Sequence, residues 1–147
     1  MSVITINLEQ ANALLDEVLA EHGEDFVYQG LCNYNVGEMP GCIVGQVLAK
    51  AGVPLDTLAK MDVISWREDG DPVTDTKFDS VARSHHFDDV FVVEPDVATL
   101  LNEAQTQQDQ RLPWGHAVAA GRTRVEVLHQ MRKSAEGRRL LFGEDAP

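Results

Sequence analysis

The chain has 147 residues, of which 44% are hydrophobic and 24% are charged; these values fit one globular domain and exclude two ordinary domains or a chain disordered throughout. No apolar run approaches the ~20 residues that cross a bilayer, and the first residues lack the basic and apolar regions of a signal peptide, so we expect a cytoplasmic protein with no membrane partner. The formal net charge of −12 disfavours nucleic acid as a partner.

A first helix is predicted near the start of the chain, with a capping signal at each end. Asn7 is a good N-cap, and Gln10 lies three residues further on, as in a capping box. Gly23 is positioned to end the helix in a left-handed conformation. Between these caps, apolar residues recur at helical spacing: Leu8, Ala11, Leu14, Leu15, Val18 and Leu19.

Residues 24–39 are predicted to be irregular, and a second helix follows them. Because proline suits the first helical position, this helix is expected to open at Pro40-Gly41 and to end at Gly52. Its predicted apolar face consists of Ile43, Val44, Val47, Leu48 and Ala51. Pro54 is then expected to begin a short helical turn.

The middle of the chain contains two segments that resemble short strands. They are Val63-Ile64-Ser65-Trp66 and Val90-Phe91-Val92-Val93, and the sequence between residues 68 and 72 is typical of a loop. If both strands form, they are expected to pair with each other as a small sheet.

Two more helices are predicted in the last third of the chain. One runs from near Pro95 to about Gln110, and Pro113 starts the next. Ala117 and Gly121 lie one turn apart and would let another backbone approach closely, which leaves homodimerisation through this face open. Residues 135–147 are expected to form a partly docked tail. The predicted fold is therefore a mainly α single domain of four to five helices, with a minor two-stranded β element if both strands form.

The charge is distributed unevenly along the chain. Residues 1–110 contain 5 basic and 20 acidic residues, whereas residues 111–142 contain 7 basic and 2 acidic residues. Arg122 and Arg132 belong to this basic stretch. Either the last helix pairs with the acidic body, or one face of the protein meets a charged partner. A nucleic-acid binder that uses the basic helix is kept as an alternative.

The cysteines are few, and one of them is a candidate nucleophile. The chain has only Cys32 and Cys42, too few for a secreted disulfide scaffold. Cys42 lies at a predicted helix N-terminus, where the dipole lowers the pKa of a thiol, and His85 or His86 would have to supply the base. Packing in the core is the alternative role for this thiol. Because the five histidines are scattered, we expect no metal site and no cofactor.

A polar constellation occupies the junction between the last two predicted helices. Gln105-x-x-Gln108-Asp109 places long polar side chains at the end of one helix, and Trp114 begins the next. The tryptophan either closes the corner of a helical hairpin or anchors a protein interface. With Tyr34 of the irregular segment, the candidate binding residues are Tyr34, Cys42, Gln105, Gln108, Asp109, Trp114, Arg122 and Arg132.

Two segments, together about a third of the chain, carry a resemblance to a protein family. They are Cys32-x-Tyr34 leading to Pro40-Gly41-Cys42-Ile43-Val44-Gly45-x-x-Leu48-x-x-x-Gly52, and Ala104-Gln105-x-x-Gln108-Asp109 leading to Trp114-Gly115-x-Ala117-Val118. In them the chain resembles small uncharacterised proteins of actinobacteria and of their phages. The resemblance implies a bacterial cytoplasmic setting and a phage origin, and it implies no catalytic role.

The functional hypothesis from sequence is a non-enzymatic interaction module. The charge asymmetry, the lack of a recognisable catalytic motif and the resemblance together favour a phage accessory factor that binds and modulates a host bacterial protein. The alternatives are a small enzyme with a thiol nucleophile at Cys42 and the nucleic-acid binder described above.

Overall fold

The computed structural model describes residues 2–30, 33–69 and 78–142, with the side chains of residues 63–69, 137, 138 and 140–142 excepted. Within these residues the chain has six helices and four short strands. In chain order they are β1 (Ile4–Ile6), α1 (Leu8–His22), β2 (Asn35–Val36), β3 (Met39–Pro40), α2 (Ile43–Ala51), α3 (Leu55–Asp69), α4 (Phe78–Arg83), β4 (Phe91–Val93), α5 (Pro95–Asp109) and α6 (Trp114–Phe142). Buried side chains from all six helices and from β1 and β4 belong to one core, so the fold is a mainly α single domain, as predicted.

The first helix has the ends that its sequence predicts. The Asn7 side chain accepts a hydrogen bond from the Gln10 amide at 2.8 Å, and the Gln10 side chain accepts one from the Asn7 amide at 2.9 Å. These bonds form the complete capping box. Gly23 ends the helix at the predicted position, but its φ of +94° and ψ of 145° are not the predicted left-handed helical conformation; the positive φ still favours glycine.

A β-hairpin occupies part of the segment that was predicted to be irregular. β2 pairs antiparallel with β3, with Asn35 opposite Pro40. The ladder continues beyond the strands, because the Cys42 amide donates to the Asn33 carbonyl at 2.8 Å. The prediction that α2 opens at Pro40-Gly41 is therefore wrong, since this backbone pairs with a strand and the helix begins at Ile43.

The middle of the chain corrects one strand prediction and confirms the other. Residues 63–66 belong to helix α3, because the run continues the helical spacing of the buried side chains of Leu58 and Met61. The predicted strand at residues 91–93 is β4, but its partner is β1, which runs parallel to it with Ile4 beside Phe91. Helix α4 was not predicted.

The last two helices form the predicted antiparallel hairpin. A Cβ atom placed on Gly121 would lie 2.6 Å from the Leu100 carbonyl oxygen of α5, so the small-residue face of α6 gives the close approach expected from sequence. This face packs inside the chain, where Ala117 is buried. It is therefore not the surface through which a second copy would bind.

Candidate functional site

Two buried glutamines of α5 satisfy backbone amides at the start of other helices. Gln105 accepts a hydrogen bond from the amide of Phe78, the first residue of α4, at 2.8 Å. Gln108 accepts one from the amide of Ile43, the first residue of α2, also at 2.8 Å. The first amides of a helix have no partner within it, so each glutamine caps a helix distant in sequence. Gln105 also donates to the hydroxyl of Tyr34, which is buried, at 3.2 Å.

Trp114 is buried at the corner between α5 and α6. Its indole N–H donates to the Gln108 carbonyl oxygen at 3.2 Å, and Gln108 in turn donates to the Asp109 carboxylate at 3.2 Å. The Trp114 ring lies 4.5 Å from the Phe26 ring and 5.0 Å from the His22 ring, measured between centroids. Trp114 thus closes the corner of the helical hairpin, which was one of its two predicted roles. Its ring also lines the groove described below.

Cys42 is the N-cap residue of α2, and its side chain is fully buried. A thiol without solvent exposure cannot reach a substrate unless the surrounding core opens. His85, one of the bases considered for it, is exposed and lies 2.9 Å from the Asp88 carboxylate. The packing role is therefore the one that the structure supports for Cys42, whereas Cys32 lies outside the described residues.

The two candidate arginines of α6 contact the acidic body of the same chain. Arg122 donates to the Asn12 side chain at 2.7 Å and to the Asp16 carboxylate at 2.9 Å. Arg132 donates to the Asp96 carboxylate at 3.2 Å. These contacts support the interpretation in which the basic helix pairs with the acidic body.

The contact between α6 and Asp96 predicts a pH dependence of stability. The pKa of Asp96 is lowered by the hydrogen bond from His129 at 2.8 Å and, to a smaller degree, by Arg132, against the opposing effect of burial. A carboxylate whose pKa is lower in the folded state stabilises the fold above its unfolded pKa of about 4, and this contribution is lost as pH falls through the folded pKa.

We therefore expect Asp96→Asn to lower the free energy of unfolding by about 0.5–1 kcal/mol at pH 6, with the difference from wild type shrinking towards pH 3. Urea unfolding at several pH values measures it. Asp56→Asn is the matched control, since Asp56 holds the same first-turn position in α3 and shares any effect of the helix dipole. A difference that stays constant from pH 6 to pH 3 would contradict the assignment.

An open groove lies beside Trp114, with a volume of about 510 Å³. We call it the aromatic groove, and its lining residues are His22, Phe26, Tyr28, Gly30, Asn33, Val36, Met39, Pro40, Gly41, Gln46 and Trp114. One wall is formed by the packed aromatic rings and the other by the β2–β3 hairpin. Met39 is 67% exposed and Val36 is 52% exposed, so the hairpin presents large apolar side chains to solvent at the edge of the groove.

The hairpin wall is held in place by polar contacts from two helices. Gln46 of α2 donates to the carbonyl of Pro40 at 3.0 Å. Asp62 of α3 accepts hydrogen bonds from the amides of Tyr34 at 2.9 Å and Asn35 at 3.2 Å. Burial raises the pKa of Asp62 despite these two bonds. These hydrogen bonds fix the position of the hairpin wall relative to α2 and α3.

Three exposed acidic residues neighbour the lining residues of the aromatic groove in sequence, although none of them lines it. Glu24 and Asp25 are exposed between two of the aromatic lining residues, and Glu38 is exposed at the tip of the hairpin. Arg111 brings one positive charge close to the same wall, where it donates to the carbonyl of Tyr28 at 2.7 Å. Neither the hairpin nor the exposure of Met39 was predicted from sequence, because the groove also needs Trp114, which is more than 60 positions from the other lining residues.

Comparison of the chain with protein-family models, with curated proteins and with solved structures finds no match. Among the described residues, none of the helices combines the length and the apolar character needed to span a membrane. Over the same residues, no group of three or more His, Cys, Asp or Glu side chains is arranged to hold a metal ion.

Proposed function

We propose that the chain is a non-enzymatic protein-interaction module and that its aromatic groove binds an extended segment of a partner protein. The observation that carries the proposal is the groove itself, in which a packed aromatic wall faces a hairpin with the exposed side chains of Val36 and Met39. A volume of about 510 Å³ falls within the ~300–1,000 Å³ range of ligand pockets, and it accommodates one or two large side chains.

The exposed acidic residues that neighbour the groove lining in sequence favour a basic segment. Apolar aromatic or aliphatic anchors suit the walls, because such side chains dominate binding energy when a pocket removes them from water. Flanking Lys or Arg residues suit the acidic residues at Glu24, Asp25 and Glu38, and the net charge of −12 attracts a cationic partner over a longer range. The proposed ligand is therefore a basic peptide with an apolar anchor.

The resemblance to proteins of actinobacteria and their phages directs the proposal towards a bacterial host. In this setting the chain is a phage accessory factor, and the basic segment belongs to a host protein whose activity the complex modulates. Cys42 supports no competing enzymatic proposal, because its side chain is fully buried.

The test is a selection from a random peptide library against the full chain. We expect the selected peptides to share an aromatic or aliphatic residue flanked by Lys or Arg. A synthetic peptide of this consensus is expected to bind Met39→Lys at least about tenfold more weakly than wild type, a change of about 1.4 kcal/mol. The lysine would place a positive charge on the apolar edge of the groove, which opposes both the apolar anchor and the cationic flanks of the peptide, and fluorescence anisotropy measures the affinity.

Met131→Lys is the matched control, because Met131 of α6 is 61% exposed and Met39 is 67% exposed. Its affinity for the consensus peptide should equal that of wild type. A selection without a consensus, an acidic consensus, or equal binding by Met39→Lys and wild type would each overturn the proposal.

A further inference from the structure

The end of α6 extends past the start of α5. Arg132 contacts Asp96, the second residue of α5, and α6 continues from there to Phe142. At 1.5 Å per residue, this continuation is about 15 Å long. Its described side chains, at residues 133–136 and at Arg139, are all exposed. This end of the helix is therefore accessible to another molecule.

The sequence of this end has the chemistry that the aromatic groove is proposed to bind. We call residues 132–142 the α6 end, and its basic residues are Arg132, Lys133, Arg138 and Arg139, against one acidic residue. An apolar run, Leu140-Leu141-Phe142, follows them. Glu144 and Asp145 come after the run, so the positive charges flank it on one side only. The run corresponds to the apolar anchor of the proposed peptide, and the basic residues before it correspond to a flank.

The α6 end cannot reach the aromatic groove of its own copy. Trp114 lines the groove and is the first residue of α6. Phe142 is the last residue of the same helix, about 42 Å from Trp114 along the axis. Between them, Ala117, Val118 and Val125 are buried in the core, so α6 cannot turn back without losing this packing. Only another copy can bring an α6 end to the groove while the helix stays intact.

We propose that the α6 end of one copy occupies the aromatic groove of another copy. The inference rests on the proposed function, because it takes the groove as a site for a basic peptide with an apolar anchor. Helix ends fray, so the last turn of α6 can enter as the extended segment that the groove is proposed to bind. The apolar run then packs between the aromatic wall and the exposed side chain of Met39, and both leave water. A partner peptide and an α6 end exclude each other at this site, so self-association regulates partner binding.

The distribution of charge favours a second copy over a nucleic acid as the partner of the α6 end. Residues 1–110 contain 20 acidic and 5 basic residues, so the body of the chain attracts a basic segment. A nucleic acid would also attract the basic residues of the α6 end, but the acidic body would repel it. The apolar run at residues 140–142 would then stay in water. The groove of a second copy suits the charge and the apolar run together.

The first test mixes two variants, each of which lacks one half of the contact. Met39→Lys keeps the α6 end but has a charged groove edge, and Leu141→Ser/Phe142→Ser keeps the groove but has lost most of its anchor. We expect each variant alone to have the single chain mass of 16.2 kDa by light scattering. Their mixture is expected to have twice this mass and no more, because one intact groove and one intact α6 end remain in each pair.

Wild type at high micromolar concentration is expected to have at least twice the chain mass, since a contact between two different surfaces closes into a ring or continues as a chain. Val127→Ser/Met131→Ser is the matched control, because it removes two exposed apolar side chains of α6 outside the α6 end and should keep the mass of wild type. A wild type of single mass, assembly of either defective variant alone, or a mixture of single mass would each overturn the inference. Circular dichroism checks that the variants fold, and Val36→Lys replaces Met39→Lys if that variant unfolds.

The second test separates the inference from the proposed function. An excess of the consensus peptide is expected to return wild type to the single mass, because the peptide and the α6 end compete for one groove; peptide binding that leaves the assembly intact would overturn the inference. If Met39→Lys weakens peptide binding while wild type has the single mass, the inference fails and the proposed function stands. If no consensus peptide is selected but the two variants pair in the mixture, the proposed function fails and the groove binds the α6 end alone.

Discussion

Replacing Gly45 with alanine is expected to lower the free energy of unfolding by about 3 kcal/mol. Helix α2 passes so close to the segment before β2 that a Cβ atom on Gly45 would lie 2.2 Å from the Tyr34 carbonyl oxygen and 2.9 Å from its carbonyl carbon. The obstacle is backbone, which cannot rotate away as a flexible side chain can. The Tyr34 backbone is also tied to Asp62 through its amide, so either the helix or the hairpin must move.

Gly52→Ala is the control that separates this clash from the conformational effect of replacing a glycine. A Cβ atom on Gly52 would meet only the end of the Ile4 side chain, at an ordinary contact distance of 3.5 Å, and the residue has a left-handed conformation with a φ of +106°, so the variant should lose about 1–2 kcal/mol of conformational energy. Urea unfolding of both variants gives the comparison. A loss for Gly45→Ala no larger than that for Gly52→Ala would show that α2 and the Tyr34 segment separate easily.

The parts of the fold that could be predicted from sequence depend on local signals. The capping box at Asn7 and Gln10 and the proline starts of α5 and α6 involve residues within a few positions of each other, and the structure confirms them. The strand at residues 91–93 also has its own β-branched and aromatic pattern. Each of these features depends on a short stretch of chain, which explains why the sequence alone was sufficient to predict it.

The parts that could not be predicted depend on contacts between distant segments. β1 and β4 are only three residues each, and they pair across more than 80 positions of chain, so neither sequence indicates its partner. The run at residues 63–66 is apolar and short, a pattern that fits a strand or a buried helix equally well. The structure shows the helical alternative, because residues 63–66 continue α3, which the preceding residues begin.

The candidate site residues also divide into what local sequence indicates and what depends on contacts between distant segments. Gln105 and Gln108 were recognised as unusual, since they continue the buried face of Leu101 and Ala104 with polar side chains. Their use as caps for α4 and α2 depends on helices that begin 27 and 65 positions earlier. The aromatic groove likewise requires α1, the hairpin and the start of α6 together, so its exposed methionine carried no signal in the sequence.

Replacing Gln108 with leucine is expected to lower the free energy of unfolding by about 4 kcal/mol, because it leaves two buried donors without an acceptor. The Gln108 carbonyl oxygen accepts from the Ile43 amide at 2.8 Å and from the Trp114 indole at 3.2 Å. An unsatisfied buried donor costs about 1–3 kcal/mol. Leucine has nearly the volume of glutamine, so the loss reports on hydrogen bonding more than on a cavity.

Gln107→Leu is the matched control for this change. Gln107 is on the same turn of α5 but is half-buried and donates to Glu103 of its own helix, so its replacement should change the free energy of unfolding by less than about 0.5 kcal/mol. Hydrogen exchange adds a local measurement, in which the Ile43 amide should lose protection in Gln108→Leu and keep it in Gln107→Leu. Equal stability of the two variants, or unchanged protection of Ile43 in Gln108→Leu, would contradict the capping role, because only Gln108 joins the start of α2 to the corner at Trp114.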